Sequence, residues 1–192
     1  MSEGEPLVVE ATRRRLSAKQ ADTVDKLTKA AVEVLTREGF AGMTIRMVAA
    51  AAGVGTATAY TYFSSKEHLV AEIFWRRLVA ADSPVSHDPD PTVRVVAELR
   101  SIALLVADDQ EVAGAVTSAL LGRDPDVAHL RARIGLEIRT RIERALGPGA
   151  DPEIVVSLEL VYAGALVRAG MGYASYADIA DLIEKSALLI LR

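Results

Sequence analysis

Between Gly55 and Tyr62 the chain reads Gly-Thr-Ala-Thr-Ala-Tyr-Thr-Tyr, a run rich in hydroxyls and free of charge. Threonine is a mediocre helix former, so Thr56, Thr58 and Thr61 in one short helical stretch need a chemical reason. Their hydroxyls donate and accept neutral hydrogen bonds, which suits base edges and phosphate oxygens, and their methyl groups suit the thymine methyl. Tyr60 has the reach for a phosphate or a thymine. Thr44 and Arg46 open the preceding helical stretch and Lys66 opens the following one. Helix N-termini carry free N–H groups that favour phosphate. The candidate nucleic-acid contacts are therefore Thr44, Arg46, Gly55, Thr56, Thr58, Tyr60, Thr61, Tyr62 and Lys66. Tyr62 and Phe63 also read as packing residues, and Lys66-Glu67 as a solvated helix start. Arg13, Arg14 and Arg15 form a basic arm that either follows a nucleic-acid backbone or stays in water.

Other chemistries lack the residues they need. There is no cysteine, so thiolate metal sites and a cysteine nucleophile are excluded. His68, His87 and His129 are dispersed, and none is spaced with a carboxylate as a metal box. Asp108-Asp109 reads as a helix cap. Phosphate-cradling glycine loops and the G-x-S-x-G nucleophile turn are missing. We expect no catalytic residue, no metal and no cofactor. The apolar runs are too short to span a bilayer and the N-terminus lacks a signal-peptide core, so the expectation is a cytoplasmic protein with no membrane partner. The net charge of −4 argues against nucleic acid only on average: residues 1–81 are net positive and residues 82–192 net negative.

These residues must be held by helices, because apolar spacing near 3.6 recurs along the chain and period-two alternation does not. Val24, Leu27, Ala31, Val34 and Leu35 form one stripe after Ser17 as N-cap, and Gly39 stops it. Thr44 caps a short helix that Gly53 breaks, a third follows to about Phe63, and Ser64 or Ser65 caps a fourth. Two short helices around a glycine turn, with alanine at the crossing, are the sequence pattern of a helix-turn-helix. Val48, Ala52, Val54, Ala59 and Tyr62 fall where that motif buries side chains. Ala49 lets the second helix approach, and Gly53 permits a left-handed turn.

At these positions the sequence resembles the DNA-binding domain of the TetR family of transcriptional regulators. The resemblance covers about residues 20–72 and rests on Thr44-Ile45-Arg46, Val48-Ala49, Ala52-Gly53-Val54, Tyr60-x-Tyr62-Phe63 and Ser65-Lys66-Glu67. It departs where the family often has Ser-Lys-Gly and this chain has Gly55-Thr56-Ala57, which removes a charge and the better N-cap from the reading helix. The expected fold is all-α, with about nine helices: a three-helix DNA-binding head and a helical body for ligand binding and dimerisation. The expected divisions are an arm at 1–17, the helix-turn-helix at 18–64, a connecting helix at 65–82, and the body at 83–192, after the proline-rich Ser83–Pro91 linker.

One such head reads few base pairs, so specificity calls for a homodimer on palindromic double-stranded DNA. Ala163, Gly164, Ile179, Leu182, Ile183 and Ile190 are the candidate dimer residues, although the last two helices also read as ordinary core. The resemblance implies a small-molecule effector in the body. Trp75, Leu104, Leu105, Leu120, Leu121, Tyr162, Met171 and Tyr173 are candidates for an apolar pocket, and each also reads as plain core. Arg168 is a further pocket candidate; it also reads as a partner of Glu159 or an exposed cation. The leading expectation is a repressor released by a lipophilic effector. The alternatives are an activator, a DNA-bound regulator without small-molecule control, or a helical enzyme, for which no convergent catalytic groups are present.

Overall fold

The computed structural model describes residues 18–83 and 88–192, and within them the chain is helical throughout, with no strand. In order the helices are α1 Ala18–Gly42, α2 Ile45–Ala51, α3 Thr56–Tyr62, α4 Lys66–Ala80, α5 Pro91–Leu104, α6 Gln110–Leu121, α7 Pro125–Leu146, α8 Pro152–Gly170 and α9 Tyr176–Ile190. The expected arm, Ser17 and His87 lie outside the described residues.

Local chemistry explains where the helices begin. Asp90, Asp124 and Asp151 each accept a hydrogen bond from a first-turn N–H, and Pro91, Pro125 and Pro152 follow at the position where a missing N–H costs nothing. The last linker proline is thus the first residue of α5. Asp109 caps α6, and Ser175 forms a reciprocal capping box with Asp178 on α9. Gly39 interrupts α1 at φ 66°, ending its regular course where the apolar stripe ends.

A single apolar core runs through the molecule. In the head, α1 packs on α2 and α4, and α2 on α3. Val24, Leu27, Val34, Leu35, Val48, Ala49 and Phe63 are fully or almost fully buried there. The body is built from α5 packed on α7 and α9, with α8 on α9. Helix α4 joins the two parts: it packs on α1 at one side and on α6 and α7 at the other, with Leu69, Val70, Phe74 and Leu78 buried.

The end of α4 is held by a buried cation. Arg141 of α7 is 4% exposed, and its guanidinium donates to the Leu78 and Ala81 carbonyls at 2.6 and 3.1 Å, to Glu137 at 2.8 Å and to Glu98 of α5 at 3.3 Å. Ser83 bonds the other Glu98 oxygen. A charge so buried is tolerable because each of its three nitrogens meets an acceptor, and the bonds to Leu78 and Ala81 tie the end of α4 to α7.

Candidate nucleic-acid interface and effector cavity

Helices α2 and α3 meet at the turn Ala52–Gly55. The Gly53 backbone takes φ 64°, the left-handed conformation the turn requires, and Val54 N–H donates back to the Ala49 carbonyl at 2.9 Å. Ala49 is fully buried, and Ala59 is the buried residue of α3, so the small side chains mark the crossing. That contact turns the rest of α3 outward. Thr58, Tyr60 and Thr61 are exposed, and Thr56 and Tyr62 are half-buried. Gly55 is the N-cap and supplies no side-chain bond, so the first N–H groups of α3 are left uncapped by it. The Thr61 hydroxyl donates to the Ala57 carbonyl at 3.1 Å, which engages its proton within the helix.

Thr44 caps α2 by accepting from the Met47 N–H, and Arg46 beside it is exposed. Thr44, Tyr60, Ser65 and Lys66 share the rim of one shallow surface hollow of about 310 Å³. Lys66 has a second task that its sequence position does not reveal. Its ammonium donates to the Phe40 and Ala41 carbonyls at 2.7 and 3.3 Å and lies 4.6 Å from the Phe40 ring centre. It therefore closes the C-terminal end of α1 onto the start of α4, with one N–H left for another acceptor. Tyr62 is packed against the core, as the packing reading has it.

The body contains an apolar cavity of about 280 Å³ between α6, α7 and α8. Leu120, Leu121 and Tyr162 line it, and so does Ala163. The other residues read from sequence as pocket lining lie elsewhere. Trp75 is buried under the Arg133 guanidinium, 4.6 Å from its ring centre. Leu104 and Leu105 are at the end of α5, and Met171 and Tyr173 are in the exposed turn after α8. Arg168 lies over the Tyr173 ring, while Glu159 takes a two-point contact from Arg139 at 3.0 and 2.7 Å. Phe74 of α4, Thr117 of α6, Ile138 of α7, Leu166 of α8 and Tyr176 of α9 were missed. Thr117 and Tyr176, hydroxyls set among apolar spacing, were the available signal.

The candidate dimer residues divide. Ile179 and Ile183 are fully buried against this chain's own core and Ile190 is half-buried, so these three face inward. Leu182, Ala163 and Gly164 are exposed. With them on the surface are Val156 and Leu160 of α8 and Leu189 of α9.

An outward helix-turn-helix, joined by one helix to an all-helical body that carries an apolar pocket, defines a DNA-binding regulator. Residues 27–73 match the family described as bacterial regulatory proteins, tetR family. Uncharacterised HTH-type transcriptional regulators of Mycobacterium bovis and Mycobacterium tuberculosis are 44% identical over 189 residues, covering 97% of this chain and 87% of theirs. The chain belongs to the TetR family of transcriptional regulators. A TetR regulator from Rhodococcus sp. RHA1 has the same fold at TM-score 0.73 and 21% identity, over 91% of this chain and 98% of that one. Bacillus subtilis FadR, solved with stearoyl-CoA, matches at TM-score 0.63 and 17% identity, over 87% of this chain and 97% of that one. No helix among the described residues is long and apolar enough to cross a membrane.

Proposed function

We propose that this regulator is a homodimeric repressor that binds a palindromic operator through α3 and is released by a small apolar effector held between α6, α7 and α8. The observation that carries the reading is the position of α4. Phe74, midway along it, lines the cavity, while Ser65 and Lys66 at its start stand on the rim shared with Thr44 and Tyr60. A ligand that moves Phe74 moves a rigid helix whose other end orients the reading head. Arg141 fixes the far end of α4 to α7, which lines the same cavity. The ligand shifts DNA affinity only by as much as it prefers the released arrangement, typically about 1–3 kcal/mol.

On this reading Thr56, Thr58, Tyr60 and Thr61 face the major groove, and Thr44, Arg46 and Lys66 hold phosphates. Dimerisation through α8 and α9 sets the two heads one helical turn of DNA apart. Selection of bound duplexes from a random pool tests the proposal. Recovery of an inverted repeat, with retention that falls when an apolar ligand is added, is the expected result. Recovery of no preferred sequence at low salt would refute it.

A further inference from the structure

The cavity between α6, α7 and α8 is open to water, and four of its wall residues show where. Leu121, Arg131, Gly135 and Ala163 line it and are exposed. Two of these stand across from each other. Helices α7 and α8 are consecutive, antiparallel neighbours, and Arg139 of the first meets Glu159 of the second at 2.7 Å. Four residues on from that pair, one turn further from the connecting loop on each helix, come Gly135 and Ala163. A Cβ on Gly135 would meet nothing within 4 Å. The mouth therefore lies between α7 and α8, where each helix contributes a residue with little or no side chain.

The direction in which that mouth faces follows from the winding of α8. Ala163 and Val167, both on the cavity wall, are seven and eleven residues beyond Val156, close to two and three whole turns. All three project to nearly the same side of the helix. Val156 is 43% exposed, and Leu160, one turn on, is 69% exposed. The open side of the cavity and the outward apolar stripe of α8 are therefore one continuous surface. Leu136, next to Gly135 on α7, is exposed as well. The charged side chains of the wall have partners within the chain: Glu159 is held by Arg139, and Arg131 donates to the Leu120 and Gly122 carbonyls, each at 2.6 Å.

From this we propose that a second copy of the chain completes the cavity. Two chains that pair through the outward stripe of α8 each lie over the other's mouth, because an isologous contact uses the same patch on both copies. A ligand inside is then held by both chains, and pairing and occupancy strengthen each other by the same factor. The proposal rests on the homodimer and the effector cavity of the proposed function, and it goes beyond them by making one depend on the other.

The chain has no cysteine, so Ala163→Cys places a single thiol at the mouth. Thr36→Cys, at an exposed position of α1, gives a reference thiol in the reading head. Each is treated with N-ethylmaleimide as the paired protein and as separated chains, with light scattering reporting the state of every sample. Leu182→Glu, which leaves α8 unaltered, supplies the separated chain; if it stays paired, dilution does. Ala163→Cys should react at least about tenfold more slowly in the pair, while Thr36→Cys reacts equally in both states. The apolar dye N-phenylnaphthylamine, bound to the cysteine-free chain, should leave the pair about tenfold more slowly than the separated chain. Equal reaction of Ala163→Cys in the two states overturns the proposal, as does a dye that binds neither form or leaves both at one rate. A wild-type chain that scatters as a monomer removes the homodimer and the proposal with it. A pair whose mouth thiol is unprotected leaves the homodimer standing and refutes only the shared cavity.

Discussion

At the scale of single residues, exposure and hydrogen bonding divide the reading head into groups that face outward and groups that hold it together. Thr58 and Tyr60 are exposed, so Thr58→Ala and Tyr60→Ala should each lower operator affinity by about 1 kcal/mol with little change in the melting temperature. Fluorescence anisotropy paired with thermal melts checks this; unchanged affinity in both would place the groove contact elsewhere. Lys66 should behave differently. Its bonds to Phe40 and Ala41 tie α1 to α4, so Lys66→Ala should cost about 1–2 kcal/mol of stability. If its remaining N–H also meets a phosphate, the slope of log affinity against log salt should fall by about one. A stability loss with an identical slope would make it a helix tie alone. Most of the head was legible residue by residue, because Gly53, Ala49 and Ala59 are the small residues a tight helix crossing demands. The tie made by Lys66 was not, since the carbonyls it serves are 26 and 25 residues away in the chain.

At the scale of elements, caps and apolar spacing announced the helices, while the facing of each helix needed the fold. Thr44, Ser65 and Asp109 cap where their types suggest, and Gly147 ends α7 at φ 95°. Helix α9 shows the limit. Its apolar residues lie on more than one side, and only packing against α5 and α8 decides that Ile179 and Ile183 are inside and Leu182 outside. The pocket was less legible still, because its wall takes a few residues from each of several helices and no local pattern joins them. The junction of α6 and α7 provides a test of how the body meets the head. Burial alone would raise the Asp124 carboxyl, but the Ser65 hydroxyl at the cap of α4 and the Val127 and Asp126 N–H groups outweigh it and hold the acid below its ordinary value. A lowered folded value means that the unfolded chain takes the proton more readily. The contribution is therefore complete above about pH 4 and is lost as pH falls through the folded value. The stability gap between wild type and Asp124→Asn, followed by urea unfolding, should be constant near neutrality and close below about pH 4. A gap independent of pH would remove the carboxylate charge from the junction.

At the scale of the whole molecule, the remaining question is what covers the apolar surface that one copy leaves in water. Val156, Leu160 and Gly164 recur every four residues along α8 as one outward stripe, and Leu182 and Leu189 stand seven apart on the outer side of α9 with Lys185 between them. Leu160 is 69% exposed and Leu189 is 64% exposed, on helices whose opposite sides fill the core. Gly164 has nothing within 4 Å of where a Cβ would stand, which leaves room for another backbone to approach. A second copy packed on this face would cover the exposed residues of both helices at once. Under the proposed function, Leu160→Glu combined with Leu182→Glu should give a monomer by light scattering while preserving helical content, because neither side chain belongs to the core. Since two linked heads bind far more tightly than one, operator affinity should then fall by about 100-fold or more. A charged variant that stays dimeric would move the interface to another face, and one that turns monomeric yet keeps full affinity would mean that a single head suffices.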